Sequence, residues 1–280
     1  MNDTPDSPLI DLHSHSTRSD GAFSPTRLMQ EAASRGVNTL ALTDHDTTAG
    51  LDEAEEAARE NGVDFVPGVE ITCECAGTEV HLLGLGVDRL NHILLQVCGD
   101  VQLRRRKRFF AMVEKLRAHG VPLSTETVED GVSLARPYLA RLMVQQGKVK
   151  TYQEAFQRYL RKGLPGFVEH TRIPISRAIE AIQTAGGVAV LAHPGLYRNG
   201  DECVYEGARL GMDGIECFHS DHDHNTSQHF VGRARKLSLL ISGGADFHGP
   251  EHPRSKFFGK RGCPPAEFER MQDVLAARAN

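Results

Sequence analysis

The stretch IDLHSHSTRSDG, Ile10–Gly21, sets two histidines, His13 and His15, on alternate positions at the end of a short apolar run, with an aspartate, Asp20, five residues further on. On a β-strand, residues i and i+2 point to the same face. Both imidazoles can therefore reach one ion lying over the strand's end. Whether they do depends on what the rest of the chain brings to the same place.

Working outward, strands and helices alternate. SPTRLMQEAASRG reads as a helix with Ser24 as N-cap, Pro25 in its first turn and Gly36 as its stop. NTLALTDHD is the next strand, and TTAGLDEAEEAARENG the next helix, closed by Gly62. VDFVPGVEIT and VHLLGLGVD are two more strands joined by a turn at Gly77. From about Asn91 to Gly166, helices follow one another without strands: RRRKRFFAMVEKLRAHG, LARPYLARLMVQQG and TYQEAFQRYLRKG. The rhythm resumes with PISRAIEAIQTAGG, VAVLAHPG, GIECFHS and LSLLISGGADFHG, and ends in a helix near AEFERMQDVLAARA. Repeated β-then-α units predict an α/β fold with a parallel sheet or barrel. The barrel is expected over residues 1–90 and 167–280, and a helical insertion domain over 91–166.

Bulk properties narrow the classes. The chain has 280 residues, 32 Lys and Arg against 37 Asp and Glu, and a net charge of −5. That balance disfavours broad nucleic-acid binding but leaves room for a local basic patch. Arg104–Arg108, RRRKR, is such a patch, read first as a solvated helix face and second as a contact for a nucleic-acid backbone. Six scattered cysteines do not make a disulfide framework and are expected to be reduced thiols. The polar, acidic start MNDTPDSPL carries no secretory signal, and no apolar run reaches the roughly 18 residues of a membrane span. A cytoplasmic protein is expected, with no membrane association and no obligatory protein partner.

Imidazoles and carboxylates terminate nearly every strand: His13 and His15; Asp44, His45 and Asp46; Glu70; His193; Glu216, His219 and His222; Asp246 and His248. His81 opens its strand, but an antiparallel return after Gly77 would bring it to the same rim. Taken singly, each has an ordinary explanation; Asp20 and Asp46, for instance, suit helix N-caps. Together they would be costly to bury without cations, and bound metal ions remove that cost while using neutral imidazole as a ligand. Mixed nitrogen and oxygen ligands without thiolate suit Mn²⁺, Zn²⁺ or Fe²⁺. The number of ligands suggests two or three ions with a carboxylate such as Glu70 bridging, an arrangement used in phosphoryl hydrolysis.

DLHSHSTRSDG, ALTDHDT, PGVEIT, HLLGLGVD, VLAHPG and GGADFHG resemble, in order, the motifs of the polymerase and histidinol phosphatase (PHP) family from Ile10 to Gly249. LARPYLARLMVQQG and YQEAFQRYLRKGLPGFV resemble the helical insert of one branch, the nucleoside 3′,5′-bisphosphate phosphatases and related 5′-to-3′ exoribonucleases. The resemblance implies a distorted (β/α)7 TIM-like barrel with the insert as a substrate cap. It implies three ions: one on His13, His15, Glu70 and Asp246, a second on Glu70, His81 and His193, and a third on Asp20, His45 and His248. One departure is Tyr138, where related sequences often carry histidine.

The expected activity is metal-dependent removal of the 3′-phosphate of a nucleoside 3′,5′-bisphosphate, with Mn²⁺ preferred among two to three divalent ions. An ion-bridging hydroxide would attack phosphorus in line. His222 is a candidate for phosphate binding or leaving-group protonation. Arg136 is a candidate for the second phosphate, since a guanidinium fork matches phosphate bidentately, and Lys162 comes next. The alternatives are a 5′-to-3′ exoribonuclease on short RNA, a histidinol-phosphate phosphatase and a non-catalytic PHP module. The last would be expected to have lost ligands, and here every motif position is filled.

Overall fold

The computed structural model describes residues 9–126 and 134–279; the polar start of the chain lies outside them. In chain order the elements are β1 (Leu9–Asp11), α1 (Pro25–Ser34), β2 (Val37–Leu42), α2 (Leu51–Asn61), β3 (Asp64–Cys75), β4 (Thr78–Leu85), α3 (His92–Ala118), α4 (Arg136–Gln145), α5 (Tyr152–Ala155), β5 (Ile173–Pro174), α6 (Ile175–Thr184), β6 (Val188–Leu191), α7 (Gly200–Arg209), β7 (Gly214–His219), α8 (His224–Leu237), β8 (Leu240–Gly244) and α9 (Pro265–Arg278). A π-helical turn, Phe156–Leu160, follows α5 directly.

Local chemistry explains the boundaries. Ser24 caps α1 by accepting a hydrogen bond from the Arg27 amide at 3.2 Å. Gly62 ends α2 in the left-handed conformation at φ 69°. Ala76 and Gly77, at φ 48° and 72°, form the two-residue turn of the β3–β4 hairpin. That hairpin reverses the chain and sets Thr72 opposite His81, as the Gly77 turn predicts.

The chain divides into two compact units, residues 1–98 with 173–280, and residues 99–172. The sequence places the insertion at 91–166; the division instead falls inside α3, whose first turns belong to the sheet-bearing unit. In that unit the sheet runs β1-β2-β3-β4-β6-β7-β8, with β5 beside β3. Pairing is parallel except at β4, which is antiparallel to both β3 and β6. One apolar cluster gathers Ile10, Ala41, Val66, Leu83, Val188 and Val190 from five strands, with Phe268 and Met271 of α9 packed into it. The two ends of this order lie side by side, Leu12 after β1 bonding to Gly243 of β8, so the sheet curls strongly. α1 and α2 pack on the other face of β2 around Leu28, Leu42 and Phe247.

The expected α/β fold with a mostly parallel sheet is present, and the regular ladder is not closed into the expected distorted (β/α)7 TIM-like barrel. Among the described residues, no strand ladder joins β1 to β8. Single bonds span the gap instead: Leu12 N donates to Gly243 O at 3.1 Å and His15 N to Phe247 O at 2.9 Å. The buried Asp11 carboxylate helps by accepting from Ala245 N at 2.9 Å and His13 N at 3.2 Å. Gly244 permits the approach, because a Cβ there would lie 2.6 Å from His13 N and His13 Cβ.

The helical unit has its own core, built on Phe109, Met112, Leu116, Leu139, Met143 and Leu160. Among the described residues, all six cysteines are free thiols, and no helix is long and apolar enough to cross a membrane. Gly244→Ala should destabilise the chain by about 1–3 kcal/mol through overpacking. A thermal melt checks this; an unchanged midpoint would mean the seam between β1 and β8 is looser than its contacts indicate.

Candidate metal centre

Glu70 lies in the middle of β3 and is 1% exposed. Five imidazoles surround its carboxylate. Oε2 faces His13 Nε2 at 3.4 Å, His15 Nε2 at 3.2 Å and His45 Nδ1 at 3.0 Å. Oε1 faces His81 Nδ1 at 3.0 Å and His193 Nε2 at 3.2 Å. Asp246 stands beside them, its Oδ1 at 3.4 Å from His13 Nε2, 3.1 Å from His15 Nε2 and 3.3 Å from His248 Nδ1. Asp20, about a third exposed, lies 3.3 Å from His248, 3.7 Å from His45 and 3.8 Å from His15. The nine residues expected as ligands are thus assembled in one place.

The backbone aims them. β1 stops at Asp11, so His13 and His15 leave the regular strand and flank Ser14, which bridges to Phe247. His45 bridges to Glu70, with Glu70 N donating to Asp44 O and Asp46 N to Glu70 O. Asp46, His193 and Asp246 have φ of 56°, 32° and 51°. That left-handed region costs energy for any residue with a Cβ. The cost falls on residues at the rim, where the backbone must turn to present a side chain.

These distances suit shared ions. Ligand atoms about 2.1 Å from one ion lie about 3.0 Å apart at right angles and about 3.4 Å apart at the tetrahedral angle. His13 Nε2, His15 Nε2, His45 Nδ1 and Asp246 Oδ1 are buried without hydrogen-bond partners among the described residues, although each faces ligand atoms at such separations. Orphaned buried donors and acceptors are rare in native proteins, and convergence on a cation accounts for them. Four groupings have their ligand atoms within 4.8 Å of one another: His15, Asp20, His45 and His248; His13, Glu70 and His193; His13, His15 and Asp246; and His45, Glu70 and His81. His13, His15, His45 and Glu70 each belong to two of these groupings.

Electrostatics follows the same plan. Burial opposes the charge on Glu70 and Asp246, but the surrounding imidazoles, led by His45 for Glu70 and His13 for Asp246, hold both carboxyls well below the usual range. Burial also works against protonated His13 and His15. Asp246, Glu216 and Glu70 outweigh it at His13, which is held well above its usual value; Asp246 and Glu70 push His15 up to about 10. At His45 and His193 burial dominates, and they fall to about 3 and about 4.

Three further residues hold the candidate ligands in place. Glu216, fully buried, accepts from His13 Nδ1 at 2.9 Å and from His193 N at 2.8 Å. It fixes two ligands at once, and despite burial His13 and His219 hold its pKa down at about 2. His219 Nδ1 accepts from Asp221 N, so its Nε2 donates to Asp246 Oδ2 at 3.2 Å. Arg254 pairs with the same Oδ2 and with Asp221 at 2.7 Å, leaving Asp246 Oδ1 for the cluster. Glu216 and His219 are visible in the sequence as strand-end polar residues; Arg254 gives no local signal.

The expected substrate binders fare differently. His222 Nδ1 donates to Cys217 O at 3.0 Å and its Nε2 accepts from Gly195 N at 3.1 Å. Both nitrogens are spent on backbone, so His222 fastens the turn after His193 and has none left for a phosphate, which corrects its expected role. Arg136 opens α4 in the helical unit, with its guanidinium 6.0 Å from the Phe167 ring centroid. Lys162, in the same unit, is exposed and pairs with Glu169 at 3.0 Å. Tyr138 packs against Phe109 at 5.8 Å between ring centroids.

Glu216→Gln should weaken metal binding by about 10–100-fold, the usual effect of losing a carboxylate behind a ligating histidine. Metal titration monitored by calorimetry measures it. Proton linkage gives a second check. A ligating imidazole must be neutral, and metal-free His15 keeps its proton until about pH 10. Loading at pH 7 should therefore release protons, and metal affinity should fall as pH falls. A binding enthalpy independent of the buffer's ionisation heat would contradict this.

The chain is similar to known phosphoester hydrolases. The PHP domain model matches residues 11–162. A 5′-3′ exoribonuclease from Haemophilus influenzae is 38% identical over 247 residues, spanning 86% of this chain and 90% of its own. A 3′,5′-nucleoside bisphosphate phosphatase from Chromobacterium violaceum is 36% identical over 249 residues, spanning 86% and 87%. A Bifidobacterium adolescentis structure assigned as a metal-dependent phosphoesterase superposes with a TM-score of 0.84 at 28% identity, covering 95% of this chain and 96% of that one.

Proposed function

Because the chain belongs to the PHP domain family and is a phosphoester hydrolase, we propose that it removes the 3′-phosphate from nucleoside 3′,5′-bisphosphates with two or three bound divalent ions, Mn²⁺ foremost. The observation that carries this reading is Glu70 ringed by five imidazoles, with Asp246 and Asp20 beside them. When bound, such ions acidify water and neutralise charge on a phosphoryl group. The ligands are His13, His15, Asp20, His45, Glu70, His81, His193, Asp246 and His248. Glu216 and His219 orient them. Arg254, held against Asp246 by its pair with Asp221, adds a fixed positive charge beside the reacting phosphate. On this reading the curled sheet acts as a distorted barrel whose open seam is spanned by the bonds around Leu12 and His15.

The helical unit is assigned to substrate recognition. Arg136 is the favoured ligand for the second phosphate. Lys162 is secondary; its exposed pair with Glu169 is of a kind worth little. A second reading, 5′-to-3′ exoribonuclease on short RNA, is supported by the 38% identical relative. Both use the same hydrolytic centre, since a nucleoside bisphosphate presents the same phosphates as one end of such an RNA.

Phosphate release from adenosine 3′,5′-bisphosphate, and nucleotide release from 5′-phosphorylated oligoribonucleotides, should both require Mn²⁺ or a similar ion. Asp246→Asn should lower kcat by about a hundredfold or more, as expected for removing a principal electrostatic group. Full turnover by the chelator-stripped protein would overturn the proposal. Arg136→Ala should impair bisphosphate hydrolysis while sparing a simple aryl phosphate; equal loss on both would remove Arg136 from the second-phosphate role.

A further inference from the structure

Charge is divided unevenly along the chain. Residues 99–172 carry 15 Lys and Arg against 7 Asp and Glu, a net charge of +8; the rest carries 17 against 30, a net charge of −13. The basic residues are densest at Arg104–Arg108. There, within the helical unit, one face of α3 and the segment 168–171 wall a cleft of about 500 Å³.

Arg104, Lys107 and Arg108 line this cleft at the i, i+3 and i+4 spacing of a single helix face. Arg108 is held in position, its Nε donating to Val168 O at 2.8 Å and its guanidinium 5.8 Å from the Phe167 ring centroid. Arg104 and Lys107 form no ion pair with a described residue. Two acids also reach the cleft, Asp100 and Glu169, and Glu169 is engaged by Lys162. Its lining holds no Phe, Tyr or Trp, its one ring being the His170 imidazole, and its apolar residues are Leu103, half exposed, Ala111 and Val168. Three cations against a single imidazole favour phosphate contacts over a platform of stacked bases, which gives binding with little sequence preference.

We propose that this cleft binds the sugar–phosphate backbone of single-stranded RNA. Arg104 and Arg108 grip phosphates with their forks, and Lys107 acts as a point charge. The helical unit thereby holds the part of an RNA that a nucleoside bisphosphate does not have. The inference rests on the exoribonuclease reading and names the groups that would favour longer substrates.

The test compares adenosine 3′,5′-bisphosphate with 5′-phosphorylated oligoribonucleotides of 2 to 12 nucleotides, using the Mn²⁺-loaded full chain and its Arg104→Ala/Lys107→Ala variant. In the unaltered protein, KM should fall with RNA length and rise with salt. In the variant, KM for the 12-mer should rise about tenfold. Its logarithmic salt slope should shrink by about 1.4, at roughly 0.7 per single-strand phosphate contact. Bisphosphate turnover should stay unchanged. An unchanged KM and salt slope for the 12-mer would overturn the proposal, as would an equal loss on both substrates. If the protein hydrolyses the bisphosphate but no RNA, the exoribonuclease reading fails separately. Fluorescence anisotropy with a labelled 12-mer then decides about the cleft: salt-sensitive binding lost in the variant supports it, and absent or unaltered binding overturns it.

Discussion

Glu70 is the group on which the site depends. A carboxylate 1% exposed in a protein interior is costly unless its charge is met at close range. Here it is met by His13 and His15 after β1, His45 after β2, His81 on β4 and His193 after β6. No flat sheet could bring groups from that many strands to one carboxylate. The curl that brings Leu12 at one edge of the sheet to Gly243 at the other is therefore the same curl that builds the candidate metal centre. Asp246, arriving from beyond β8, needs the seam at Gly244 and Asp11 to be tight. Core packing at one end of the strands and ligand geometry at the other are two consequences of one curvature.

What the sequence made legible is what local chemistry determines. Ser24, Gly62 and the Ala76–Gly77 turn act through their own neighbours, and they delimit α1, α2 and the hairpin that carries His81. The ligand types and their places at strand ends were readable for the same reason. The strands' true ends were not. β1 stops before His13, and His193 and Asp246 take left-handed backbone conformations that no alternation of apolar residues announces. The open seam was equally hidden, because single hydrogen bonds between Leu12 and Gly243 leave no periodic trace.

Glu216 and His222 show a different limit. Both stand in the motif GIECFHSDH as buried polar residues near a strand end. Glu216 serves His13 from 203 positions away and the His193 amide from 23 away. Its role exists only once those ligands have converged. His222 has the residue type of a phosphate ligand, but both its nitrogens are committed to backbone groups. Residue type supplies a capacity; the tertiary partners decide whether any of it is left for a substrate.

The separation of charge between the two units bears on how such a centre handles anionic substrates. With a net charge of −13, the sheet-bearing unit would repel a nucleotide if its carboxylates stood alone. Bound cations invert that field locally, but only nearby, because salt screens exposed charges beyond about 8 Å. On the proposed reading, attraction for the remaining phosphates of an RNA would come from fixed cations, of which the helical unit holds a net +8. Ions and arginines thus divide the work by range and by salt sensitivity. Ions in the candidate centre would act inside a buried cluster where screening is weak, whereas the partly exposed basic face of α3 would work through contacts that ionic strength tunes. Catalytic power and length preference can then vary independently, since neither set of residues contributes a group to the other's task.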